Sequence, residues 1–306
     1  MATTREIKNR INSVRDTQKI TNAMYLISST KMRKARREAE ESKPYYELLR
    51  RELRRMFAVS NDIRSKYVDS SVDDEAPGGN FGILVITADK GLAGSYNQNV
   101  IREALALMDR ADESKLYVVG EFGRRFFRAG GFPIIEEFDH MMREPDLDDA
   151  RTITVELLDA FDRGDFESLY VCSTDYTGGL SAGNPTHYRL IPFDRDDFVP
   201  EVAGETNALS TFEYEPDVVS VLERIVPSAL TGYIYAALVN SYSSEQSARM
   251  MAMDAANDNA SELLEELSLE YNHLRQNAIT QEITEISSGA RGLRKSRAKR
   301  KKAEED

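Results

Sequence analysis

At 306 residues, 41% hydrophobic and 30% charged, the chain has room for one large domain or two of ordinary size and carries the charge density of exposed helices. No run approaches the roughly 18 apolar residues of a membrane span, and the opening MATTREIKNRINS lacks the apolar core of a secretory signal. A single cysteine, Cys172, excludes a disulfide framework and a Cys-based zinc site within one chain.

These features read as a chain made and kept in the cytoplasm, with Cys172 a buried small residue in SLYVCST. The net charge of −12 is uneven. Residues 1–60 carry 15 Lys and Arg against 7 Asp and Glu, residues 291–306 carry 8 against 3, and the middle is left at −25. Basic ends around an acidic middle predict different partners along the molecule.

From residue 4 to about 42 nothing breaks a helix. Ile7, Ile11, Val14, Gln18, Thr21, Tyr25, Ser28, Met32, Ala35 and Ala39 alternate in steps of four and three, the seam of a coiled coil. The seam passes from apolar to small and polar, which suits close pairing with another helix but not tight self-association. Lys31, Arg33, Lys34, Arg36 and Arg37 form a basic cluster, either a solvated face or a surface for an acidic partner. Pro44 predicts a kink or a new first turn, after which Tyr45, Leu48, Leu49, Leu53, Met56 and Phe57 resume helical spacing. Residues 61–80 are polar, end near Pro77-Gly78-Gly79, and read as a linker.

Beyond it the period changes. Residues 81–87 (FGILVIT) are the short apolar run of a strand buried on both faces. Helix NVIREALALMDR, strand KLYVVG, helix GEFGRRFFRAGG, strand PIIEEF, helix LDDARTITVELLDAFDRG and strand ESLYVCST follow. That alternation predicts βαβ units and a small doubly wound, Rossmann-like sheet. PTHYRLIPF reads as one more strand at an edge, residues 194–210 as an acidic loop, and TFEYEP as a short strand.

Asp217 then opens the longest helix. Met250, Met253, Asn257, Ala260, Leu264, Leu267, Tyr271, Leu274 and Ala278 again alternate three and four. After Ala278 the apolar positions become Ile279, Ile283, Ile286 and Leu293, as though the helix changes partner. Roughly 70 residues at 1.5 Å rise would make a rod of about 110 Å. The fold class is therefore α/β: a long antiparallel coiled coil of N- and C-terminal helices with an inserted α/β domain. The boundaries read 1–60, 61–80, 81–214, 215–290 and a basic, fraying tail at 291–306.

Candidate chemistry is thin. The loop from Thr87 through Asp89, Lys90, Gly91 and Leu92 to Gly94 could cradle phosphate at a strand's carboxyl end. It matches neither G-x-G-x-x-G nor the P-loop pattern. His140, His187 and His273 are not spaced with Cys or carboxylates as metal ligands, and no nucleophile motif appears. Acidic runs such as Asp146-Leu147-Asp148-Asp149 read as solvated surface. The tail is basic enough for nucleic acid or an anionic membrane but lacks interleaved aromatics. Neither a catalytic residue nor a cofactor or metal site is predicted.

Several blocks carry a family resemblance. REIKNRINSVRDTQKITNAMYLISSTKMRKA and SKPYYE near the N-terminus, TADKGLAGSYN in the middle, and SEQSARMMAMDAANDNASELL and YNHLRQNAITQEITEISSGA near the C-terminus occur in order and spacing over about residues 3–290. The chain resembles the gamma subunit of bacterial F-type ATP synthases. The resemblance implies a central rotor shaft inside a hexamer of three alpha and three beta subunits. It further implies an α/β domain seated with the epsilon subunit on the membrane c ring, at the cytoplasmic face of the plasma membrane. Proton flow would turn the shaft and force the beta subunits through different nucleotide affinities. ATP, ADP and Mg would be bound by alpha and beta, and nucleic acid is not expected as a partner.

By resemblance, Met24 and the cluster containing Lys31, Arg33 and Lys34 pass the acidic lever loops of beta. Arg275, Gln276, Thr280 and Glu282 match upper-shaft positions that hydrogen-bond with beta loops, and Ile283 and Ile286 would turn in an apolar sleeve. The chain departs from the family in three places. Sixteen residues follow Ala290, projecting toward the crown or the delta subunit; Ala93 stands where a cysteine is common; and the paired cysteines of the redox-regulated chloroplast type are missing. The competing readings are a free-standing nucleotide-binding enzyme built on the α/β domain and a coiled-coil scaffold with a nucleic-acid-binding tail.

Overall fold

The computed structural model describes residues 3–59, 63–68, 78–138, 142–175, 183–194, 198 and 213–304, with side chains for all of these except Val59 and 294–304. The chain divides into two compact units: Tyr25–Ala252, and Met1–Met24 together with Met253–Asp306.

In the first unit, β1 (Asn80–Ile86), β2 (Glu113–Val119), β3 (Ile134–Phe138), β4 (Ser168–Asp175) and β5 (Asn184–Ile191) form one sheet in the order β3-β2-β1-β4-β5. The first four strands are parallel and β5 runs antiparallel to β4 at the edge. Burial explains the sequence pattern: β1 is buried along nearly its whole length, whereas most of β5 is only half-buried.

Alternate residues of each strand face opposite sides. Ile83, Val85, Leu116 and Val118 pack with α2 (Tyr96–Met108) and α3 (Glu121–Ala129). Leu84, Ile86, Tyr117 and Val119 pack with α4 (Leu147–Asp162) on the other side, so the sheet is doubly wound. The acidic run before α4 has a local task. Asp146 accepts from the Asp149 amide at 2.8 Å, and Asp149 accepts in return from the Asp146 amide at 3.2 Å, a reciprocal cap that satisfies two helix-end donors.

The same face receives two long helices, α1 (Thr4–Val59) and α5 (Val218–Glu304). Leu53, Met56 and Phe57 of α1 and Leu222, Val226, Leu230, Ile234 and Leu238 of α5 complete that core. The two helices approach closely at Gly232, where a Cβ would fall 2.0 Å from the Tyr46 ring. Farther along, α5 crosses the carboxyl ends of the strands, and every residue from Ser241 to Met250 is buried. Cys172 is buried too, as the sequence implied, and burial pushes its thiol pKa up.

Three expectations need correction. Pro44 starts no new helix, for α1 runs through it; the burial of Leu53, Met56 and Phe57 outweighs one lost backbone bond. The described ends of the 61–80 stretch are packed rather than free. Tyr67 is buried and stacks on Phe161 with ring centroids 5.8 Å apart, its carbonyl accepts from Phe193 at 2.8 Å, and Asn80 already belongs to β1. TFEYEP forms no strand over 213–216, its first two residues lying outside the described set. Asp217 instead caps α5, accepting from the Ser220 amide at 2.9 Å. His140 and nearly all of the 194–210 loop also lie outside the described residues.

In the second unit the two chain ends pair antiparallel. Ile7, Ile11 and Leu267 are buried together, with Val14, Leu263, Leu264, Tyr271 and Leu274 packed around them. Gln18 donates to Ser261 Oγ at 2.8 Å, and Thr21 Oγ1 donates to Asn257 Oδ1. Rising numbers on one helix meet falling numbers on the other, and Ile7, Ile11, Gln18, Thr21, Asn257 and Leu267 are all positions of the two heptad seams. Every described residue from Arg275 to Leu293 is exposed. The helix does not stop near Gly289 but continues to Glu304. Two glycines cost about 1 kcal/mol each, and the Ala, Arg and Lys around them are strong helix formers.

Gly120 supports a direct test of the packing at the β2–α3 turn. Its φ is +93°, and a Cβ there would fall 2.1 Å from the Thr87 carbonyl oxygen. Gly120→Ala is expected to destabilise the chain by about 2 kcal/mol or more, read as a lowered denaturation midpoint; an unchanged midpoint would contradict the geometry.

Candidate functional site

The exposed charge of α1 and the buried charge of α5 are the two features that a packed core does not account for. On α1, Lys31 is half-buried while Arg33 and Lys34 are exposed. Lys31 and Lys34 lie three apart and share a face, whereas Arg33 points elsewhere around the helix. Lys34 Nζ lies 2.7 Å from Glu144 Oε2 and 3.9 Å from Glu38 Oε1. The hydrogen bond with Glu144, followed by its charge, raises the Lys34 pKa and lowers that of Glu144. The cluster is thus partly answered by the chain's own acids. Such exposed pairs are weak and exchange readily for another acidic partner.

In the other unit, Met24 is half-buried and Arg275, Gln276, Thr280 and Glu282 are exposed. Ile283 and Ile286 are 59% and 73% exposed. At helical spacing, Arg275, Ile279, Glu282 and Ile286 share one stripe, and Gln276, Thr280 and Ile283 share the next. Apolar and polar anchors therefore alternate on a helix face that this chain leaves uncovered. Within each unit, the residues singled out by sequence fall on shared helices.

Two residues of the buried stretch belong to the block SEQSARMM, and the sequence alone gives them no role. Glu245 and Arg249 form an ion pair one helical turn apart, with side chains only 4% and 11% exposed. Arg249 Nη2 also donates to the carbonyl oxygens of Lys90 and Gly91, at 3.3 and 3.1 Å. The loop considered as a phosphate cradle therefore presents carbonyls to a cation, the reverse of the polarity an anion would need. The signal was present in the sequence as an i,i+4 charge pair inside a run of Ser and Ala.

Desolvation pushes the Glu245 pKa up to about 7, against the lowering pull of Arg249. His187 Nδ1 lies 2.6 Å from Glu103 Oε1 between β5 and α2, a tie across the sheet edge rather than a ligand set. Among the described residues, no group of three His, Cys, Asp or Glu side chains could hold a metal ion.

Comparison with known proteins places this arrangement. A family model described as ATP synthase matches residues 3–293. The chain is 38% identical over 293 residues to the ATP synthase gamma chain of Caldanaerobacter subterraneus subsp. tengcongensis, covering 94% of this chain and 98% of that one. It is 36% identical over 298 residues to the gamma chain of Acetivibrio thermocellus, covering 96% and 100%. The chain belongs to the ATP synthase gamma-chain family.

Solved structures agree on the fold. A chain of the Euglena gracilis mitochondrial ATP synthase (OSCP/F1/c-ring) aligns with TM-score 0.64 at 15% identity over 95% of this chain and 94% of that one. One from the Tetrahymena thermophila mitochondrial ATP synthase central stalk and c-ring aligns with TM-score 0.56 at 21% identity, over 78% and 99%. Membership bears out the resemblance drawn from the terminal blocks. The basic stretch after Leu293 lies beyond the family match.

The buried carboxyl sets a pH dependence. A folded pKa above the unfolded one means that Glu245 contributes stability fully below the unfolded value, near 4.5, and that this is lost as pH rises through about 7. Stability of the native chain is expected to decline from pH 5 to 8, and Glu245→Gln is expected to flatten that slope. Denaturant midpoints across the range check it; an equal slope in the variant would show that another group titrates.

Proposed function

We propose that this gamma-family chain is the central rotor shaft of an F-type ATP synthase, coupling proton flow through the membrane c ring to ATP synthesis and hydrolysis on the beta subunits. Its partners in this reading are three alpha and three beta subunits around the helices, and the epsilon subunit and c ring at the α/β domain. The chain itself does no bond chemistry, and it sits peripherally at the cytoplasmic face of a bacterial membrane. No described helix is long and apolar enough to cross that membrane.

The observation that carries the reading is the uncovered end of α5. Ile279, Ile283, Ile286 and Leu293 are exposed on a helix whose preceding turns pack against the N-terminal segment. Four large apolar side chains in water at heptad spacing fit an external apolar sleeve, while Arg275, Gln276, Thr280 and Glu282 supply polar contacts to beta. Met24, Lys31, Arg33 and Lys34 would meet acidic levers as the shaft turns.

Magnitudes then constrain the mechanism. Shifting a beta subunit from 1:99 to 99:1 between two states takes about 5.5 kcal/mol of differential contact. One solvent-exposed charge cannot supply that. The work must be spread over many contacts around an asymmetric pair of helices, so that loss of any one charge is tolerated.

Co-expression of alpha, beta and this chain is expected to yield a complex of three alpha, three beta and one copy of the chain that hydrolyses ATP. Truncation after Leu267 should impair coupling of hydrolysis to proton pumping more than it impairs assembly. Replacing Lys31, Arg33 and Lys34 together by Gln should reduce coupling more than any single replacement. Failure of the full chain to enter such a complex would refute the rotor reading.

A further inference from the structure

The crevice between the carboxyl ends of β1 and β4 is where an open α/β sheet ordinarily takes a ligand. Here α5 fills it: Ser241 Oγ accepts from the Thr174 amide at 3.2 Å, and two helical turns later Arg249, paired with Glu245, bonds to the loop that follows β1. That loop holds a strained residue. Leu92 has φ +65° and is 64% exposed. A bulky side chain in left-handed backbone costs of order 1–3 kcal/mol and persists only where its surroundings enforce it. Arg249 supplies the enforcement through the two carbonyls immediately before Leu92.

We propose that Arg249, anchored by Glu245, is the residue that positions the 90–92 turn for contact with a neighbouring subunit, and that proton uptake at Glu245 releases the turn. The part concerning a neighbouring subunit rests on the rotor reading; the clamp and its release do not.

The surroundings make Glu245 the group that switches. From α1, Lys31 favours the ionised carboxylate; from α5 itself, Gln246 Nε2 donates to it. Tyr96 from α2 and Tyr242 from α5 also face it, and burial raises both phenols, so both stay neutral through the range concerned. Asp89, at the start of the loop, is bonded to the Glu121 amide at 3.3 Å. Desolvation is the dominant cause that brings Glu245 to about 7. Ionised, the carboxylate fixes the guanidinium under the turn. Neutral, it no longer balances the cation, and the guanidinium leaves the carbonyls for water.

The test is a nitroxide label on Lys90→Cys in the full-length chain; Lys90 is exposed and Cys172 is buried, so labelling is selective. The mobile fraction of the electron paramagnetic resonance spectrum is expected to rise as pH falls from 8 to 6, with its midpoint near 7. Glu245→Gln is expected to give the mobile spectrum at every pH, and Arg249→Met the same, each with the far-ultraviolet circular dichroism of the parent, which separates release of the turn from failure to fold. A parent spectrum that does not change with pH, or a titration that survives Glu245→Gln, would overturn the proposal. In the assembled complex, the pH profile of hydrolysis should lose an inflection near 7 in Glu245→Gln. Because the spectrum is read without alpha or beta, it stands or falls separately from the rotor reading.

Discussion

Everything in the larger unit is arranged around a helix segment that has no solvent face. From Ser241 to Met250 α5 is buried on all sides, against the carboxyl ends of the strands and against α1. Helices buried all round are ordinarily apolar. This one is made of Ser241, Ser243, Ser244, Ser247 and Ala248 around a single ion pair. Small side chains let the backbone approach the sheet closely. Opposite Ser244, Gly183 leaves no room for more, since a Cβ there would fall 2.7 Å from the serine hydroxyl. Among the described residues, the hydroxyls of Ser243, Ser244 and Ser247 make no hydrogen bond to protein. Such groups cost stability when buried. What the arrangement provides is close packing of this helix segment on the sheet, with little room for either to shift alone.

Charge is distributed to match. The acidic middle of the chain lies between basic ends, and part of the basic band is already paired with local acids such as Glu144 and Glu38. Pairs of this kind are exchangeable at small cost. The rotor role proposed for the chain would need that, since contacts would have to form and break each turn without any one holding the shaft in place. The buried pair of Glu245 and Arg249 is of the other sort. Desolvated and geometrically fixed, it specifies one arrangement and is costly to break on one side only.

Much of this was legible in the residues. Strand and helix periods gave all five strands in order because β1 and β4 are buried on both faces and read as unbroken apolar runs. The two heptad seams placed Ile7, Ile11 and Leu267 on the inner side of an antiparallel coil, where they are buried, while which residue meets which came only from the structure. What failed did so for local reasons. Of the kink and the new first turn that Pro44 allows, the new turn is the one that tertiary packing overrode, since α1 runs through it. Asp146 and Asp148 are exposed, as the acidic run before α4 suggested, but the reciprocal cap between Asp146 and Asp149 needs only one turn of helix and leaves no long-range pattern to read. Glu245 and Arg249 went unremarked because an i,i+4 pair ordinarily marks an exposed face, and only the sheet that covers them gives them a role. For Met24, Lys31 and Arg275, the structure gives burial and helix face, and the roles proposed for them rest on the family resemblance.

Direct observation of rotation tests the central claim. With the alpha and beta hexamer fixed to a surface and a bead attached through Arg125→Cys, an exposed position on α3, ATP should drive stepwise, one-directional turning of the bead, with three pauses per revolution for three beta subunits. Hydrolysis by the complex with a stationary or randomly moving bead would contradict the account.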